Sequence, residues 1–123
     1  MPRLTAGTLL LALSVLTSNG STAERIKASM ASLPLNIKTA LLGLCAPCEF
    51  ADHDAPWNHS DVLDSRPQRH LKSILVEPDR WLIAYDHGGI ATHVHTVEFV
   101  LTPSLHLGSK SDCIPTKLVK CEW

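Results

Sequence analysis

The sequence predicts a small α+β domain in which an N-terminal helix packs on a three- to four-stranded antiparallel meander, stapled by disulfides. Three observations predict it. Helix-favouring residues with an apolar side occupy 24–44, runs with strand character separated by turn residues fill the chain from 69 onward, and four cysteines follow a leader-like N-terminus. A chain of 123 residues has room for one domain, and 45% hydrophobic residues exclude a disordered or collagen-like polymer. A net charge of −1 argues against a protein that tracks nucleic-acid phosphates, so no nucleic-acid partner is expected.

Residues 1–23 have the layout of a secretory signal peptide: a positive start at Arg3, an apolar stretch over 9–16, and small side chains at Ser21 and Ala23 where a signal peptidase needs them. Even taken from Leu4 to Leu16, the apolar stretch falls short of the roughly 20 residues that a spanning helix needs. The expectation is therefore a mature domain over 24–123, secreted or periplasmic, with no stable membrane insertion.

In an oxidising compartment the even set Cys45, Cys48, Cys113 and Cys121 reads as two disulfides. Chain entropy favours crossed pairing, because a bridge spanning roughly 65–75 residues restricts the unfolded chain by about 4 kcal/mol and a tiny loop restricts it far less. The alternative is that Cys45-Ala-Pro-Cys48 forms a local redox pair of the thioredoxin type. Against it, the apolar helical pattern precedes the motif, which puts the cysteines at a helix C-terminus where the dipole disfavours a thiolate.

Taken in order, residues 24–44 favour helix with a break near Pro34, where Ser32 can cap and the proline suits the first turn. Residues 49–68 hold two prolines, five acids and two histidines without a lasting period, and read as a long loop, with one helical turn at 60–64 and Phe50 and Trp57 as anchors. Residues 69–76 and 81–85 form the first two strands, joined by a turn at 77–80. Asp86-His87-Gly88-Gly89 is a hairpin connection whose glycines supply positive φ. A third strand runs over 90–101 and stops at Thr102-Pro103. Residues 105–107 extend it, 108–112 form another turn, and 114–121 a last strand whose Pro115 suits an edge.

The most specific chemical feature is Thr92-His93-Val94-His95. Residues two apart on a strand share a face, so His93 and His95 project side by side, as a sheet presents two ligands for zinc or copper. A third ligand would come from His87, His53, Asp54, His59 or His106. The stretch from Gly88 to Glu98 resembles the first motif of cupins, β-barrels that bind metal through His-x-His and a nearby glutamate. Here the glycine-to-histidine gap is one residue short, the glutamate comes early, and no second motif follows. The resemblance implies Glu98 as a ligand, yet on a regular strand Glu98 faces away from His95, and a bulge would be required to bring it round. The competing readings are two rim histidines satisfied by backbone or water, and a surface that charges as the medium acidifies.

Asp52-His53-Asp54, with Trp57 and His59, offers carboxylates that could orient an imidazole or simply solvate a loop. Asn58-His59-Ser60 is a glycosylation acceptor triplet. No nucleophile elbow, phosphate-cradling loop or His-Glu-x-x-His helix is present. The functional expectation is thus an exported, non-catalytic binding or interaction module of the inhibitor, immunity or accessory type. Its protein partner would meet the hairpin end at Trp57, His87, Gly88 and Gly89. The alternatives are a zinc or copper protein using His93 and His95 with His87, and a thiol-disulfide protein using Cys45 and Cys48.

Overall fold

The structure is a computed structural model that describes residues 22–113. Most of the expected leader, the strand expected at 114–121 and Cys121 lie outside the described residues. The elements are β1 (Glu24–Ile26), a 3-10 turn (Met30–Ser32), α1 (Leu35–Gly43), β2 (Phe50–Ala51), β3 (Arg69–Val76), β4 (Arg80–His87), β5 (His93–Val100) and β6 (His106–Cys113).

These strands form one six-stranded sheet in the order β1-β3-β4-β5-β6, with the short β2 added beside β3. All neighbours are antiparallel except β2, which runs parallel to the start of β3. The expectation of a helix packed on a three- to four-stranded meander is therefore wrong: the described residues are mostly sheet, with one short helix. Helix propensity misled at Glu24–Ile26, where pairing with Ile74–Val76 satisfies the backbone and half-buries Ile26. The helical turn expected at 60–64 is irregular chain.

The turn expected at 108–112 is also corrected, since these residues lie within β6 and pair with β5. Gly108 suggests a turn, but its role is close approach. A Cβ there would lie 2.3 Å from Glu98 Oε1 and 2.6 Å from Val100 Cγ2, beside the register shift at Glu98/Phe99.

One face of the sheet carries the core. Leu71, Ile74, Ile83, Tyr85, Val97 and Phe99 pack with Ile37 and Leu41 of α1, which are one turn apart, and with Phe50. Phe50 is an anchor as expected, edge-on to Tyr85 with centroids 4.9 Å apart.

Crossed disulfide pairing is overturned as well. Cys45 and Cys48 are joined to each other with Cα atoms 5.6 Å apart, and Cys113 is also disulfide-bonded. Entropy of the unfolded chain rewards long loops, but only cysteines that the folded chain brings within reach can bond. Here the turn after α1 does so. Both sulfurs lie within 4.0 Å of the Leu42 carbonyl oxygen, at the C-terminal end of the helix, where the dipole opposes a thiolate.

Candidate metal centre

At the hairpin end the core face of the sheet changes from apolar to imidazole. His87, the last residue of β4, stands across the ladder from His93, the first of β5, and His95 follows two residues on, across from Tyr85. Strand alternation puts all three rings on one face, with centroids 5.3 Å apart for His87 and His93, 5.5 Å for His87 and His95, and 4.4 Å for His93 and His95. One ligand nitrogen from each lies within 4.8 Å of the others, so the three histidines could hold a metal ion. The Tyr85 ring, 5.1 Å from that of His95, floors the cluster.

The outer partners decide which nitrogens remain available. His93 Nδ1–H donates to the Ala91 carbonyl at 2.8 Å, leaving Nε2 with its lone pair. His95 Nδ1–H donates to the Asp112 carboxylate across the β5–β6 ladder, and its Nε2 faces His87 Nδ1 at 3.4 Å. A carboxylate or carbonyl behind the ligating imidazole is the usual outer support of metal-binding histidines, because it fixes the tautomer and aims the ring.

The electrostatics favour neutral rings. Burial, reinforced by the charge of Arg69 and by the neighbouring histidines, pushes His87 down to about 4. His95, only 8% exposed, is also lowered, because burial outweighs the opposing hydrogen bond and charge of Asp112. Imidazole must be neutral to ligate, and the lowering at His87 and His95 favours that form of these two rings.

The other third-ligand candidates are elsewhere. His106 pairs with Val100 at the opposite end of the ladder. His53 and His59 belong to the 52–68 loop, which folds over the other face of the sheet. There His59, Trp57, His70 and His53 form a run of near-parallel rings with successive centroids 4.6, 4.8 and 5.5 Å apart. His70 spends both nitrogens, on Asp86 at 2.9 Å and on the His53 carbonyl at 2.7 Å. Glu98, the ligand implied by the cupin resemblance, is bonded to Arg80 at 2.7 Å and does not join the cluster.

The expected binding surface is thus split by the sheet. His87 lies on the core face, whereas Trp57 stacks on the opposite face. Gly88 is the seam: its N–H donates to the Gln68 carbonyl at 2.8 Å, and a Cβ would lie 2.3 Å from the Asn58 carbonyl oxygen. Gly89 has φ of 139°, and its N–H reaches the His59 carbonyl at 3.4 Å. Asn58 is 1% exposed, donates to the Val62 carbonyl at 2.7 Å and accepts from Ser60, so it offers no acceptor for a glycan.

Asp112, Arg69 and Tyr85 were not singled out from sequence. Each lies on a different strand from its partner in the cluster, and only cross-strand register reveals the association. Among the described residues, no helix is long and apolar enough to cross a membrane. No protein-family model, curated protein or solved structure matches this chain, and the candidate site rests on its own geometry.

Proposed function

We propose that this protein is a small metal-binding module that takes up Zn²⁺ or Cu²⁺ through His87, His93 and His95. The observation that carries the reading is the convergence of three imidazoles, two of them held in a ligating tautomer by Asp112 and the Ala91 carbonyl. An all-nitrogen neutral ligand set suits these two ions and suits Mg²⁺ or Ca²⁺ poorly. The leader-like residues 1–23 and the Cys45–Cys48 disulfide support a role outside the cytosol.

Titration of the metal-free protein with Zn²⁺ and with Cu²⁺ tests the reading. One ion per chain is expected, with affinity lost in His93→Ala and in His95→Ala. Binding that is weak, or that survives in both variants, overturns it.

A second reading, an interaction module, is favoured by one observation. Ile90, in the β4–β5 connection beside the histidines, is 94% exposed, which leaves a large apolar side chain available to a partner. Recovery of one specific partner by the wild type, lost in Ile90→Ser, supports that reading, and identical recovery by both proteins refutes it.

A further inference from the structure

Three histidines bring no charge to a divalent ion, and they leave a fourth coordination position open. Among the described residues, what surrounds the cluster on the same face is mainly cationic. Arg69 on β3 stands across from His87, and its charge is one of the causes of the low His87 pKa. Lys110 on β6 stands across from Val97, and its charge acts on His95. The carboxylate that touches the cluster, Asp112, already accepts the His95 hydrogen bond. Asp86 is engaged by His70 and Lys72, and Glu98 by Arg80. A divalent ion bound here would therefore leave positive charge uncompensated, and low local dielectric makes that costly.

We propose that the metal-loaded site takes a small oxygen-donor anion, a carboxylate or phosphate, as its fourth ligand, held between the ion and the Arg69 guanidinium. This rests on the metal reading above. Arg69 is suited to the task by its planar fork of five donors, which matches an oxyanion, and by its register position directly across from His87. His87 and His93 are only half-buried, so an anion from solvent can reach the ion. The anion cancels charge that the histidines do not, so metal and anion each raise the affinity for the other by the same factor.

The test uses the full mature chain loaded with Co²⁺ as a visible-spectrum probe, with acetate and inorganic phosphate added separately, and Zn²⁺ affinity measured with and without each. The expected result is a shift of the Co²⁺ bands and a gain of about tenfold in Zn²⁺ affinity, inside the usual range for coupled ligands. Arg69→Met should still bind one metal per chain while losing both responses, and Arg69→Lys should keep part of them. The stronger of the two anions identifies the class. One metal per chain with no response to either anion, or an undiminished response in Arg69→Met, overturns this proposal alone. Failure of the wild type to bind metal overturns the metal reading and this one with it.

Discussion

Asp112 and His95 are direct partners across the β5–β6 ladder, joined from carboxylate to Nδ1. The pair sits at the boundary between the buried cluster and the exposed edge strand: the His95 side chain is 10% exposed and that of Asp112 57%. Such a bond contributes little to folding but decides which His95 nitrogen is free to ligate. An exposed residue on β6 thereby sets the chemistry of a buried one on β5.

Asp112→Asn should therefore weaken Zn²⁺ or Cu²⁺ binding by about 10- to 100-fold while leaving one ion per chain and thermal stability nearly unchanged. Competition against a chelator of known affinity measures the first, and thermal unfolding of the metal-free protein the second. Unaltered affinity would remove Asp112 from the site.

Stability of the metal-free protein should depend on pH through the same cluster. His87, at about 4, and His95 both titrate below the ordinary histidine value of 6.5. Between those limits the unfolded chain binds more protons than the folded one, so stability is full above about 6.5 and is lost as pH falls towards 4. Urea midpoints at pH 7.5, 6 and 5 should decline in that order, and less steeply in His87→Gln. A flat series, or the same slope in the variant, contradicts the assignment.

Two glycines should respond oppositely to alanine. At Gly88 the new methyl would press on the Asn58 carbonyl and the His59 Cα, both backbone atoms, so the loop must lift, at a cost of about 1–3 kcal/mol. At Gly43, in the last turn of α1, no atom of the described residues lies within 4 Å of the added methyl, and alanine should stabilise by about 0.5–1 kcal/mol. Denaturant midpoints of the two variants check the contrast.

Thr96 carries a buried hydroxyl, Oγ1, that has no hydrogen-bond partner among the described residues. Thr96→Val preserves the branched shape and the strand preference while removing the unsatisfied group, so a gain of about 1 kcal/mol is expected in the same denaturant measurement. A loss would mean that the hydroxyl has a partner in solution.

How far the fold was legible depended on how local each signal was. Residues 69–76 hold Leu71, Ile74, Leu75 and Val76 and end at turn residues, and β3 has those bounds. Glu24–Ile26 and 108–112 were misread because each is held by a neighbouring strand: β3 supplies the partners of the first and β5 those of the second. Their own residues favour helix and turn, and no window of sequence contains the competing interaction. The same limit hid Asp112 and Arg69, whose place beside the histidines is a matter of register across ladders.

By itself, the sequence determined what alternation along one strand determines: that His93 and His95 share a face, and that His87 precedes them at the hairpin. Only the tertiary structure decided that His87 turns to that same face, that Trp57 and its loop cover the opposite one, and that Cys45 bonds to Cys48. Side-chain direction along a strand follows from its two-residue repeat, whereas neighbours across a sheet follow from which backbones pair and in what register, a choice made by the whole chain at once.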